Sequence, residues 1–334
     1  VVESRCIQKT YELKPLVNGG SSWDTTYTNN SEALNCVHFV DSSTAYIGGT
    51  GGIILKTTDS GDTWSYLAQP FGNIPWLSCF FTSRDTGYFS CTSVGPHIVI
   101  MTIDGGQTWT QVEDTAGNAI GGHSIHFSST DTGCVITSGF VYKTVDAGAT
   151  WVQEATMFPN TCDARDVFFL DAMKGYAAGN GVGGQWGNYG SIATTIDGGQ
   201  TWSSQSFFNI FNFQVITFAP GGRGYAGGQG TPYDDLQMFS SVDGGATWLP
   251  QQVNHGVFSP WFLDISAPSD SVAYAVSWND MIYKTTNAGG PLLNVEDNPT
   301  LGIQVSVFPN PLPSQLFSSQ VIIPRDVVLL SPIN

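Results

Sequence analysis

The 334 residues suffice for one large β domain or two ordinary domains, and with 41% hydrophobic residues they can bury a sizeable core. Acidic residues outnumber basic ones 27 to 11, giving a net charge of −16 that argues against nucleic acid and against adsorption to anionic membranes. No apolar run is long enough to span a bilayer as a helix. The chain opens at Val1 without Met and shows no signal peptide, so it reads as a processed product or a fragment.

In chain order, one motif recurs. Five copies read Thr57-Thr-Asp59-Ser-Gly-Asp-Thr-Trp64, Thr102-Ile-Asp104-Gly-Gly-Gln-Thr-Trp109, Thr144-Val-Asp146-Ala-Gly-Ala-Thr-Trp151, Thr195-Ile-Asp197-Gly-Gly-Gln-Thr-Trp202 and Ser241-Val-Asp243-Gly-Gly-Ala-Thr-Trp248. The pattern [ST]-x-D-x-G-x-T-W is a turn signal. The Asp accepts backbone N–H bonds, the Gly takes positive φ, and the Trp packs between neighbouring elements. Two incomplete copies flank the set, at Asn18–Trp23 and Thr285–Gly290.

Between the boxes the sequence predicts three short strands. The first runs Leu34–Phe39, with counterparts starting near Leu77, His123, Arg165, Phe213 and Leu263. The second often opens Gly-Tyr, as at Tyr88, Tyr176 and Tyr225, and the third leads into the box. A fourth begins at the box Trp. The predicted fold is all-β: a single β-propeller of four-stranded antiparallel blades. Six blades is the economical count, closed by an N-terminal strand at Trp23–Tyr27 that completes the last blade, and seven is the alternative. Residues 1–17 form an extension, 18–290 the propeller and 291–334 a tail.

The boxes and their spacing resemble the Asp-box (BNR) repeat superfamily, and the Gly-Tyr strands with a box in nearly every blade look most like the photosystem II stability/assembly factor-like propellers. In the tail, Val305-Ser-Val-Phe-Pro-Asn-Pro311, followed by Leu316, resembles the start of a type IX secretion C-terminal sorting domain. That resemblance implies export to the cell surface or beyond, with the periplasm as the alternative. The sequence departs from the sorting pattern after Leu316.

Six cysteines, at 6, 36, 79, 91, 134 and 162, form no CxxC pair. Cys79 and Cys91, on consecutive strands joined by the turn at Arg84–Gly87, are the disulfide candidates. The five histidines are scattered, and His123 and His126 fall on opposite faces of a strand, so neither a metal nor a cofactor is expected.

This topology places the boxes with Arg84 and Arg223 on one propeller face and the long insertions on the other. The loop-rich face carries the binding candidates Trp76, Arg165, Asp166, Trp186, Tyr189, Tyr233, Asp234, Trp261 and Asp264. Asn35, Ser78, Ser124, Asp166, Gln214 and Asp264 open the first strands there and are candidates to ring the channel mouth, with His123 and Arg165 beside them. Aromatic rings beside Asp and Arg suit a protein or glycan partner of a monomeric, non-catalytic binding propeller. The competing expectation is a glycoside hydrolase using Asp166 and Asp264. A sialidase needs three converging arginines, and Arg84 and Arg223 lie on the face opposite Arg165.

Overall fold

The computed structural model describes residues 33–92, 97–137, 139–154, 163–181, 189–208, 210–230, 238–251, 262–277 and 282–285. These residues form five four-stranded sheets and one three-stranded sheet, each an antiparallel meander in chain order. In sheet 1 the strands are Leu34–Phe39, Ala45–Gly49, Ile54–Thr57 and Ser65–Tyr66. The first strands of sheets 2 to 6 are Ser78–Phe81, Ser124–Phe127, Asp163–Phe169, Ile210–Phe218 and Phe262–Ser269. First strands of successive sheets pack beside one another, as the innermost strands of propeller blades do. The expected closing strand at Trp23–Tyr27, both incomplete boxes and the 291–334 tail lie outside the described residues.

The second strands are apolar on both faces, because each lies between two neighbouring sheets. Gly87–Cys91 and Gly133–Ile136 are buried throughout. Their opening glycines permit close packing: a Cβ on Gly133 would sit 2.5 Å from the Phe127 ring. Fourth strands are short and exposed, as at Ser65–Tyr66 and Val152–Gln153, which limits the unpaired outer edge.

Each box folds as the sequence predicts. In the second copy, Thr102 Oγ1 and the Thr108 N–H donate to Asp104 Oδ1 at 2.8 and 2.9 Å, and Thr108 Oγ1 donates to Oδ2 at 2.6 Å. The Gly106 N–H donates to Thr102 Oγ1 at 2.8 Å. The motif glycine has φ between 81° and 94° in all five copies. These donors, the Thr hydroxyl foremost, hold Asp59, Asp104, Asp197 and Asp243 at pKa values of about 2.

The structure gives the Gly-Tyr strands a role that their sequence did not reveal. The tyrosine of one sheet latches onto the box turn of the next. Tyr46 O–H donates to the Gly105 carbonyl at 3.4 Å and to that of Arg84 at 2.6 Å. Tyr88 O–H donates to the Ala147 carbonyl at 2.9 Å, and Tyr176 O–H to that of Gly244. The same rings meet the next box Trp edge-on, Tyr88 against Trp151 and Tyr176 against Trp248. In sheet 3 the tyrosine position is Cys134, and Lys143 Nζ instead donates to the Gly198 carbonyl. The Tyr225 hydroxyl is buried without a partner among the described residues; the box that follows its sheet is the incomplete one, with Asn287 in the Asp position.

The expected Cys79–Cys91 disulfide is corrected. Both side chains are buried, and no disulfide joins them to each other. The ladder sets Cys79 opposite Phe89, two residues short of Cys91, while Cys91 pairs with Ile98 on its other side. Cys6 and Cys162 lie outside the described residues.

Candidate functional site at the loop-rich channel mouth

Strand register decides which residues stand level with one another at the loop-rich ends of the first strands. Bulges interrupt the first strands at Leu34/Cys36, Ala164/Asp166, Phe213/Val215 and Phe262/Asp264. Counted from the partner strands, the level positions are Cys36, Ser78, Ser124, Asp166, Val215 and Asp264. The expected polar ring is therefore corrected at two places. Asn35 and Gln214 are the extra residues of bulges, and Cys36 and Val215 take the ring positions.

The bulge residue Asn35 and the ring's polar members tie one sheet to the next. Asn35 Nδ2 donates to the Trp76 carbonyl at 2.7 Å, and the Ile125 N–H donates to Ser78 Oγ at 3.3 Å. Asp166 spans three sheets: Ser124 Oγ donates to Oδ1 at 2.8 Å and the Ile216 N–H donates to Oδ2 at 2.9 Å. Its own neighbour, the Val167 N–H, adds a third bond at 2.9 Å. Burial pushes the Asp166 pKa up to about 6 against those three donors. Asp264 is more enclosed. Its Oδ1 accepts the Ile265 N–H at 2.8 Å, while Oδ2 has no partner among the described residues. Burial first, and the field of Asp166 second, raise its pKa well above the carboxylate range.

Above this ring, at the loop-rich ends of the first strands, a charged cluster crosses three sheets. Arg165 pairs with Asp163 through NH2 and Oδ2. His123 Nε2 lies 3.4 Å from the other Asp163 oxygen, and His123 Nδ1 shares a hydrogen bond with Thr92 Oγ1 at 2.9 Å. The side chains of His123, Asp163 and Arg165 keep 15%, 26% and 16% of their surface. They are braced by one another and partly exposed. The same face carries Tyr189, whose ring lies 5.2 Å from that of Phe208; Phe208 is 79% exposed.

The structure thus joins the predicted Arg165 to His123 and leaves Asp166 and Asp264 beneath them as internal groups. Trp76 is corrected: it is fully buried and packs on Phe89 at 6.0 Å. Trp186, Tyr233, Asp234 and Trp261 lie outside the described residues. Thr92, Asp163 and Phe208 were missed by sequence reasoning. The Asp163-x-Arg165 spacing was the available signal for one of them. Arg84 sits on the opposite face, 2.6 Å from Asp41. Among the described residues, no three His, Cys, Asp or Glu side chains are grouped to hold a metal ion, and no helix is long and apolar enough to cross a membrane.

With this geometry in view, comparison with known proteins is informative. The family model of the photosynthesis system II assembly factor YCF48 matches residues 17–161. The structure of YCF48 bound to D1 peptide superposes with a TM-score of 0.58 at 18% identity, covering 77% of this chain and 80% of that one. YCF48 from Cyanidioschyzon merolae gives 0.51 at 16%, covering 77% and 83%. The GH74 xyloglucanase from Xanthomonas campestris gives 0.58 at 15%, covering 76% of this chain and 45% of the enzyme. Curated protein sequences give no match. At such identities the structural likeness speaks for the fold alone. The fold is a β-propeller of antiparallel blades, and residues 17–161 are similar to the BNR-repeat photosystem II assembly factor.

Proposed function

We propose that this chain is a non-catalytic binding propeller that holds an extended segment of a partner protein across the loop-rich channel mouth. The Thr92–His123–Asp163–Arg165 cluster carries the reading. It offers a guanidinium, an imidazole and a carboxylate at fixed spacing, which suits the carboxylates and amides of a peptide. Tyr189 and Phe208 supply apolar contact on the same face. The YCF48 structure with a bound D1 peptide supports a peptide role for a propeller of this kind. Selection from a displayed library of unstructured peptides tests the reading. Enriched sequences that bind wild type and lose at least about tenfold with Arg165→Ala are expected. Failure to enrich any sequence, or enrichment indifferent to Arg165→Ala and Asp163→Asn, would overturn it.

A second reading, a glycoside hydrolase, is favoured by one observation: two carboxyl groups of raised pKa, the partly exposed Asp166 and the buried Asp264, near enough for one to shift the other. Three hydrogen bonds already occupy Asp166 in joining sheets, which favours a structural role for it. Turnover of any polysaccharide in a broad panel, abolished by Asp264→Asn, would reverse this preference. Cell-surface or secreted placement rests on the Val305–Pro311 motif; export of a fused reporter by that tail is its test.

A further inference from the structure

We infer that Cys36 and Cys79 are a disulfide-forming pair that staples the first sheet to the second when the chain folds in an oxidising environment. The two residues belong to adjacent first strands of neighbouring sheets, Leu34–Phe39 and Ser78–Phe81. Both are buried in one apolar cluster built around Phe89. Cys79 stands directly opposite Phe89 in the ladder. Cys36 stands opposite Gly48. A Cβ on Gly48 would fall 2.6 Å from the Phe89 ring and 2.9 Å from the Cys36 sulfur. The glycine therefore leaves the space in which the Cys36 sulfur and the Phe89 ring meet, on the side where Cys79 lies. Burial first, and the neighbouring Cys36 second, raise the Cys79 thiol well above its ordinary pKa.

Other pairings fit less well. Cys91 shares the cluster, but Ile98 and not a cysteine faces it across its second ladder. Cys134 sits in a separate cluster between sheets 3 and 4.

Formation removes one proton from each thiol, makes one S–S bond and passes two electrons to a disulfide oxidant. Oxidised glutathione or a thiol–disulfide oxidoreductase takes them up and is reduced to two thiols. The raised Cys79 pKa and the burial of both sulfurs make the folded pair slow to react. The bond therefore forms while sheets 1 and 2 dock, and burial afterwards shields it from reductant. The closed loop contains the rest of sheet 1, so the staple constrains a whole blade in the unfolded chain.

The test is to refold the full chain in a glutathione redox buffer, block free thiols, digest without reduction and map linkages by mass spectrometry. A peptide joining Cys36 to Cys79 is expected. So is a thermal midpoint about 5 °C above that of the reduced protein. The gain should vanish in Cys36→Ser and Cys79→Ser and persist in Cys91→Ser. Should a serine variant fail to fold, Cys36→Ala replaces it. A Cys79–Cys91 linkage, a linkage of either residue to Cys6 or Cys162, or six alkylated thiols after unfolding would overturn the assignment.

Discussion

Replacing Tyr88 by Phe isolates the latch between sheets. The change keeps the ring, which stacks on Phe127 at 4.8 Å and meets Trp151 edge-on at 6.0 Å. It removes only the hydroxyl that donates to the Ala147 carbonyl at 2.9 Å. That carbonyl belongs to the box turn, where Ala147 holds a left-handed φ of 56°, so the bond supports a strained turn. Losing a neutral hydrogen bond in a partly buried setting costs about 1 kcal/mol, and an acceptor left dry adds up to about 1 kcal/mol more. The expected loss is about 1–2 kcal/mol in equilibrium urea unfolding, with the denaturant slope unchanged. Tyr225→Phe is the internal control. Its hydroxyl is buried with no acceptor among the described residues, so removing it relieves a desolvated group and should be neutral or stabilising. A loss at Tyr225→Phe equal to that at Tyr88→Phe would refute the latch as a source of stability.

Other outcomes follow from the same packing. Asp166 has a raised folded pKa, so its contribution is fully present below the unfolded value of 3.8 and is lost as pH rises through about 6. Between pH 4 and 7, wild type should lose about 2 kcal/mol relative to Asp166→Asn, from roughly two pKa units discounted for the residue's partial exposure; parallel stability–pH curves would contradict this. The box aspartates show the opposite sign. Their folded pKa values of about 2 lie below 3.8, so their stabilisation is present above pH 4 and lost as pH falls toward 2. Acid unfolding monitored by Trp fluorescence should begin in that window and shift upward in pH in Asp104→Asn. Gly133→Ala should destabilise by about 1–3 kcal/mol, because the Phe127 ring must move from a Cβ placed 2.5 Å away; an unchanged midpoint would show that the ring yields freely.

Much of the fold was legible because the box is a local device. Thr102, Asp104, Gly106 and Thr108 bond one another within seven residues, so their spacing alone identifies the turn. The Tyr latches are contacts between sheets, with Tyr88 and Ala147 lying 59 positions apart, and no local pattern announces them. Register was the weak point. One extra residue in a bulge slides the polar ring from Asn35 to Cys36 and from Gln214 to Val215, and it is invisible in sequence. A two-residue offset likewise removed Cys91 from the place opposite Cys79. Trp76 read as a loop aromatic because it lies on the connection between two sheets, yet the indole is buried against Phe89. Arg165 was legible as a strand-end charge, but its partners Asp163 and His123 become a cluster only once sheets 3 and 4 pack together.

The central claim is that recognition occurs at the mouth built from His123, Asp163 and Arg165. Its most direct test is to titrate a library-selected peptide against wild type, Arg165→Ala and Arg84→Ala, the last altering an arginine that is paired with Asp41 on the opposite face. A loss of at least about tenfold in affinity for Arg165→Ala, with Arg84→Ala matching wild type, is predicted. Full affinity in Arg165→Ala together with a loss in Arg84→Ala would move the site to the box-bearing face and contradict the account.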